Sequence, residues 1–107
     1  MPKLKEYKMF IDGEWTDSEN KKKFETLNPE NNEPWATVPE ASSKDVDQAV
    51  QAAQKAFEGE WPKLLPRERA KYLKAIANKL RENAEMLGKI ETIDTGKLFR
   101  ETKTQAN

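Results

Sequence analysis

The side chains of this chain that could do acid–base chemistry are carboxylates, and they are spaced as neighbours on a helix. Glu91 and Asp94 lie three residues apart, as do Glu82 and Glu85. A general acid–base pair needs two carboxyl groups in different environments, one of them with a raised pKa. Two carboxylates on a solvated helix face do not provide that difference. The spacing therefore favours surface charges, with a hard-cation site built from oxygen ligands as the alternative.

The other common catalytic side chains are missing. The 107 residues include no cysteine and no histidine, which removes the thiol nucleophile, the thiolate metal site and the commonest metal ligand. The four glycines form no phosphate-binding loop, because Gly96-Lys97 has Glu91 where the first glycine is required and Leu98 where Ser or Thr is required. No two glycines stand two residues apart, so the dinucleotide fingerprint is absent too. We expect no catalytic and no cofactor-binding residue in this chain.

Charge and hydropathy argue against two classes of partner. Nineteen Lys and Arg balance nineteen Asp and Glu, whereas nucleic-acid binding needs a net-basic face. The basic run Lys21–Lys23 lies among Glu19, Asn20 and Glu25, which is typical of a solvated loop. No apolar run approaches the ~18 residues of a membrane helix, and residues 1–7 lack an apolar signal core. The composition predicts a cytoplasmic protein without a nucleic-acid or membrane partner.

Residues 1–39 are predicted to form two β-hairpins. Asp12-Gly13 is the dipeptide that most readily takes positive φ at both corners of a type I′ turn. Asn28–Asn32 is the second turn, and Pro39 should end the strand that follows it. The predicted strands are Met9–Ile11, Glu14–Thr16, Phe24–Leu27, which alternates as a half-buried strand does, and Trp35–Val38. We expect Trp15, Trp35 and Trp61 to serve in core or interface packing.

Amphipathic helices follow the hairpins, so the fold class is α+β. A helix over residues 42–58 opens at Ser42, which with Asp45 resembles a capping box, and ends at Gly59. Its apolar stripe runs from Val46 to Phe57. A helical pair over residues 66–95 opens at Pro66, breaks near Asn83–Gly88 and ends at Gly96. Helical composition resumes over residues 98–107 and stops without a cap, so the chain is expected to be truncated.

Little apolar material is available to form a core. Hydrophobic and charged residues each make up 36% of the chain, against a typical charged fraction of ~25%. We therefore expect the apolar stripe Val46–Phe57 and the apolar face Leu73–Ile90 to stay exposed, without the residues that would normally pack against them. A chain of this kind should be marginally stable or should associate.

Taken together, many residues resemble the start of the NAD(P)-dependent aldehyde dehydrogenases. No single motif is diagnostic, but the order and spacing are specific from about Phe10 onward, and the stretch Glu91–Lys97 is the sharpest. The matching positions are Phe10-Ile11-Asp12-Gly13-Glu14-Trp15, Asn28-Pro29, Ala36-Thr37-Val38-Pro39, Asp45-Val46-Asp47-Gln48-Ala49-Val50, Ala53, Ala56-Phe57, Trp61, Arg69, Leu73, Ile76-Ala77, Leu80 and Glu91-Thr92-Ile93-Asp94-Thr95-Gly96-Lys97.

The resemblance implies a parent enzyme that oxidises an aldehyde to a carboxylate with NAD or NADP. In that family a cysteine attacks the carbonyl, hydride passes to the nicotinamide, and water releases the acid. These catalytic residues and the cofactor turn lie further along the family's chain than residue 107. The resemblance thus implies that this chain is the N-terminal part of a cofactor-binding domain and a piece of the α/β aldehyde dehydrogenase fold. Its partners would be the remainder of the enzyme and further copies in a homo-oligomer.

The resemblance also implies a cation site. Many members hold potassium or sodium through backbone oxygens before the Asn-Pro turn and through the aspartate of the Glu-Thr-x-Asp-x-Gly-Lys stretch. Here those positions are Thr26, Leu27 and Asp94. The alternative is that a nearby lysine, either Lys89 or Lys97, offsets the negative charge of Asp94. In a chain of this length we favour the lysine over the ion. In a full-length parent the ion is favoured.

Several alternatives stay open on the residues alone. The family pattern often has proline where this chain has Leu98, so a betaine-aldehyde-dehydrogenase-like subfamily is one placement, and the aldehyde is not fixed. The rival interpretations of the whole chain are an autonomous helical interaction module without catalysis and a short regulatory or assembly paralogue.

Overall fold

Strands precede helices along the chain, which confirms the α+β class. The computed structural model describes residues 3–105. The strands are β1 (Lys5–Glu6), β2 (Met9–Ile11), β3 (Glu14–Thr16), β4 (Lys23–Asn28) and β5 (Glu33–Pro39). The helices are α1 (Ser43–Glu58), α2 (Pro66–Glu82), α3 (Ala84–Thr95) and α4 (Phe99–Gln105), with a 3-10 turn at Trp61–Lys63.

The chain divides into two compact units. The first comprises the residues up to Leu27 together with Pro34–Lys63, and the second comprises Asn28–Glu33 together with the residues from Leu64 onward. The predicted last helix is observed as α4, and residues 106 and 107 of that prediction lie outside the described residues.

The first hairpin forms as the sequence predicts. Strands β2 and β3 pair antiparallel with Phe10 opposite Trp15. The corner residues Asp12 and Gly13 have φ of 53° and 80°, the left-handed conformation that a type I′ turn requires at both positions. The rings of Phe10 and Trp15 lie 4.8 Å apart. Trp15 is nevertheless 71% exposed, so of the two predicted roles interface packing is the one that stays open for this side chain.

The second sheet has the order β1-β5-β4. Strands β4 and β5 are neighbours joined by a short turn, in which the Asn32 N–H donates to the Asn28 carbonyl oxygen at 2.7 Å. This confirms the second hairpin. The alternation expected for β4 is observed at its end, where Thr26 and Asn28 are half-buried and Leu27 is 43% exposed, but Phe24 is 53% exposed. Strand β5 also continues through Pro39, one residue beyond the predicted end.

Strand β1 was not expected from the sequence. It pairs parallel with β5, with Lys5 opposite Ala36, and Ala36 is fully buried. The pairing continues as the Tyr7 N–H donates to the Thr37 carbonyl oxygen at 3.0 Å, and the Tyr7 ring meets Trp35 edge-on at 6.0 Å. A two-residue strand carries no alternation, so no periodic signal could have revealed it.

Helix ends agree with their sequence signals. Helix α1 has Ser42 as its N-cap and Gly59 as its C-cap. Helix α2 starts with Pro66 and stops where the Asn83 side-chain amide donates to the Lys79 carbonyl oxygen at 2.8 Å. Asn83 therefore marks the expected break, and α3 follows it directly. Gly96 ends α3 with φ of 77°.

Helices α3 and α4 pack closely because one residue of each is suited to the contact. Gly88 lies against the backbone of Lys103, and a Cβ atom at position 88 would come within 2.9 Å of the Lys103 Cα. The fully buried Thr102 hydroxyl donates to the Gly88 carbonyl oxygen at 2.9 Å and lies 3.0 Å from the Thr92 hydroxyl. The absence of a side chain at Gly88 lets the two helices approach.

Candidate functional site

The stretch Glu91–Lys97, the sharpest part of the sequence pattern, forms the C-terminal end of α3. The Thr95 hydroxyl donates to the Glu91 carbonyl oxygen at 2.7 Å, and the Gly96 N–H donates to the Thr92 carbonyl oxygen at 2.9 Å. The Lys97 ammonium lies 3.3 Å from the Glu91 carboxylate. Residues of this stretch therefore have local structural partners.

The structure brings the Asn28-Pro29 turn next to this stretch, within the second unit. A Cβ atom on Gly96 would lie 3.2 Å from the Pro29 Cγ. Asn28 shapes the turn by accepting the Glu30 N–H at 3.0 Å through its side-chain oxygen. Position 96 needs glycine for two reasons, its left-handed φ and this close approach. Two separate parts of the sequence pattern thus form one piece of packed structure.

The carboxylate pairs behave as surface charges. Glu82 pairs with Lys79 at 3.5 Å, and Glu85 pairs with Lys89 at 3.2 Å. Each of these side chains is more than half exposed. Exposed pairs of this kind contribute little to stability and leave neither carboxylate in an apolar environment. The arrangement offers no acid–base couple.

The predicted cation ligands occupy two elements. Thr26 and Leu27 are consecutive residues of β4 in the first unit, and Asp94 is an exposed residue of the last turn of α3 in the second. Lys89 lies 3.2 Å from Glu85 and Lys97 lies 3.3 Å from Glu91, and Asp94 has an interaction of its own. Within residues 3–105, no group of three or more Asp, Glu, His or Cys side chains could hold a metal ion. The cation site stays a prediction.

The start of α1 contains a buried carboxylate, and the sequence predicted only some of its hydrogen bonds. Asp45 is 3% exposed. It accepts the Ser42 N–H at 2.9 Å, which completes the capping box, and also accepts the Glu19 N–H at 3.1 Å. The backbone hydrogen bond from Ser42 lowers the pKa of Asp45, desolvation opposes this, and the Glu19 bond lowers the pKa further. The capping signal predicted the first bond, but no local signal points to Glu19.

Exposed apolar faces are a prominent feature of this chain's surface. On α1, Val50 and Phe57 are 60% and 70% exposed. A second such surface is an open, mostly apolar groove of about 540 Å³ beside α2 and α3. Its lining residues are Tyr72, Ala75, Ile76, Lys79, Leu80, Asn83, Met86 and Leu87. Contiguous exposed apolar surface is typical of an interface.

Residues 15–107 match the sequence profile described as the aldehyde dehydrogenase family. The chain belongs to the aldehyde dehydrogenase family. A family 2 aldehyde dehydrogenase of Arabidopsis thaliana is 44% identical over 101 residues, which are 94% of this chain and 20% of that protein. This aldehyde dehydrogenase chain therefore spans about a fifth of the length of such relatives, and it matches their N-terminal segment.

Solved structures of aldehyde dehydrogenases share the fold described above. The betaine aldehyde dehydrogenase of Staphylococcus aureus, crystallised in complex with NAD+, is 41% identical with a TM-score of 0.88, covering 92% of this chain and 20% of that one. The NAD-dependent aldehyde dehydrogenase of Sinorhizobium meliloti is 31% identical with a TM-score of 0.92, covering 96% and 21%. None of the helices within residues 3–105 is long and apolar enough to cross a membrane.

Proposed function

We propose that this chain is a structural part of an NAD(P)-dependent aldehyde dehydrogenase that oxidises an aldehyde to a carboxylate. The observation that carries the proposal is family membership over a fifth of the relatives' length, combined with apolar faces that nothing within residues 3–105 covers. The chain has no cysteine to attack an aldehyde, so it contributes packing surface to the enzyme and not a reacting group. It would form the N-terminal part of the cofactor-binding domain.

NAD is the cofactor proposed for the parent, with NADP as the alternative. The Staphylococcus aureus relative contains NAD+, and the Sinorhizobium meliloti relative is described as NAD-dependent. When bound, the nicotinamide would accept the hydride from the aldehyde carbon. The residues of this chain would only support the domain that holds it. We further propose that the parent is a cytoplasmic homo-oligomer, as the composition and the family resemblance imply.

An exchange of segments tests this function. The corresponding segment of the Staphylococcus aureus betaine aldehyde dehydrogenase is replaced by this chain, and reduced cofactor is followed with NAD+ and betaine aldehyde. We expect the hybrid enzyme to turn over and the isolated chain to show no turnover. The control is the same enzyme lacking the segment, which should be inactive. A soluble, folded hybrid without activity would contradict the proposal and favour the autonomous interaction module. Turnover by the isolated chain would also contradict the proposal.

The cation proposal has its own experiment. The backbone oxygens of Thr26 and Leu27 and the carboxylate of Asp94 are hard ligands of the kind that potassium and sodium prefer. An anionic side chain at a helix C-terminus is unfavourable unless a positive charge offsets it. Crystals of the hybrid enzyme grown with thallium in place of potassium should show an anomalous peak beside these atoms. The absence of that peak would end the cation proposal.

A further inference from the structure

Arg69 is a charged side chain on the mostly apolar face of α2. Tyr72, Leu73 and Ile76 are exposed on this helix by 57%, 64% and 56%. Arg69 precedes them by three, four and seven residues, so the helical repeat puts it on the same face. Arg69 is itself half-buried. A guanidinium group thus belongs to a mostly apolar surface.

Arg69 has no ion pair and no side-chain hydrogen bond within residues 3–105. The two carboxylates of α2 are engaged elsewhere: Glu68 accepts the Leu65 N–H at 3.1 Å, and Glu82 pairs with Lys79 at 3.5 Å. The helix as a whole is basic. Its charged residues are Arg67, Glu68, Arg69, Lys71, Lys74, Lys79, Arg81 and Glu82, six positive and two negative.

A purely apolar cover would leave this charge buried without a partner. The arginine side chain carries a full positive charge. Burying an ion without a partner is strongly unfavourable. A carboxylate is a suitable partner, because the planar guanidinium group can donate two parallel N–H hydrogen bonds to it. The surface that covers this face must therefore offer Arg69 an acceptor, and an anionic one complements the excess positive charge of α2.

We infer that the surface covering α2 carries an aspartate or glutamate that pairs with Arg69 inside an otherwise apolar interface. The inference rests on the proposed function, because the occupant is the part of an aldehyde dehydrogenase that this chain does not include. The chain spans about 20% of its relatives, so the occupant belongs to the larger remaining part of such an enzyme. The pair would fix the register of α2 on that surface as well as satisfy the charge.

The experiment compares substitutions of Arg69 in the hybrid enzyme and in the isolated chain. Arg69→Met keeps an unbranched side chain close to the aliphatic part of arginine without its charge, and Arg69→Lys keeps the charge without the paired donors. Arg67→Met, at an exposed position of the same helix, is the matched control. In the hybrid, heat-inactivation midpoints should rank Arg above Lys above Met, with Met lower than Arg by at least about 3 °C. In the isolated chain, Arg69→Met should leave the unfolding midpoint unchanged or raise it, since no partner is lost.

The outcomes separate this inference from the function on which it rests. A hybrid that is active and in which Arg69→Met is as stable as Arg69→Lys or the parent would overturn the carboxylate partner and leave the proposed function intact. The same loss of stability from Arg67→Met would also overturn it, because the effect would not be specific to the apolar face. A hybrid that folds but shows no activity before any substitution overturns the proposed function itself.

Discussion

Asp45 connects two distant parts of the first unit through a single carboxylate. Its two oxygens accept N–H groups from Ser42 and from Glu19, the latter 26 residues away in sequence. An ion pair at 3.5 Å between Lys44 and Glu19 lies beside this connection. A carboxylate that accepts backbone N–H groups is stabilised in its charged form. The contribution of Asp45 to the free energy of unfolding therefore depends on pH.

The substitution Asp45→Asn should lower the stability of the chain at neutral pH. An amide offers one acceptor oxygen, and its NH2 group would face an N–H donor. The native pKa of Asp45 lies below the unfolded value of 3.8, so its contribution is complete above pH 3.8 and is lost as the pH falls through the lower native pKa. The difference between the two proteins in urea denaturation followed by circular dichroism should therefore shrink in acid.

The matched control is Asp47→Asn on the exposed side of the same helix. It should change the unfolding midpoint little at neutral pH. If both substitutions had equal effects, or if the Asp45 difference grew in acid, the assigned role of the buried carboxylate would be wrong.

At the scale of elements, the contact between α3 and α4 depends on the absence of a side chain. Gly88 is in a helix interior, where alanine is ordinarily more favourable by roughly 0.5–1 kcal/mol. Here the added Cβ would meet the Lys103 Cα and backbone nitrogen, each at 2.9 Å. Backbone atoms cannot move aside as the end of a flexible side chain can. The steric term therefore outweighs the gain in helix propensity.

The substitution Gly88→Ala should destabilise the chain by about 1–3 kcal/mol, the usual cost of overpacking. Helices α3 and α4 must separate, which also weakens the hydrogen bond from Thr102 to the Gly88 carbonyl oxygen. Urea denaturation gives the free energy of unfolding. Lys89→Ala, at the next and exposed position, should stay within about 0.5 kcal/mol of the parent. A stabilising effect of Gly88→Ala would show that the close approach is not rigid.

At the scale of the whole molecule, very little apolar surface is fully covered. Among residues 3–105 the buried apolar side chains are Ala36 and Ala84, both small. Buried polar groups, Ser18, Asp45 and Thr102, outnumber them. Chain entropy is large and must be offset mainly by apolar burial, so such a core supports at most marginal stability. The faces of α1 and α2 remain as surfaces that association would cover.

The isolated chain should associate in a concentration-dependent way, as sedimentation equilibrium can measure. Val50→Lys, on the exposed apolar stripe of α1, should weaken association because it places a charge on the surface to be covered. Gln51→Lys, at the next and exposed position, adds the same charge outside the stripe and should not. A monomer with a sharp, concentration-independent transition well above ~65 °C would contradict this prediction.

Features that depend on neighbours within a few residues could be predicted from the amino-acid sequence. The Asp12-Gly13 turn, the capping box of Ser42 and Asp45, the break at Asn83 and the end of α3 at Gly96 are all where their signals predicted. Each of these rests on the conformation of one or two residues or on a bond across one helical turn, which spacing alone specifies. The family membership likewise followed from the order and spacing of many residues.

Contacts between residues far apart in the sequence could be seen only in the folded structure. The pairing of β1 with β5, the bond from Glu19 to Asp45 and the contact of Gly88 with Lys103 join residues that no local pattern connects. Burial differed from expectation for the same reason: alternation predicted a buried side for β4, yet Phe24 stays exposed. Periodicity shows which side chains share a face, whereas the path of the chain decides whether anything covers that face. Arg69 is the clearest case, since its spacing places it on the apolar face and only the three-dimensional arrangement leaves it without a partner within residues 3–105.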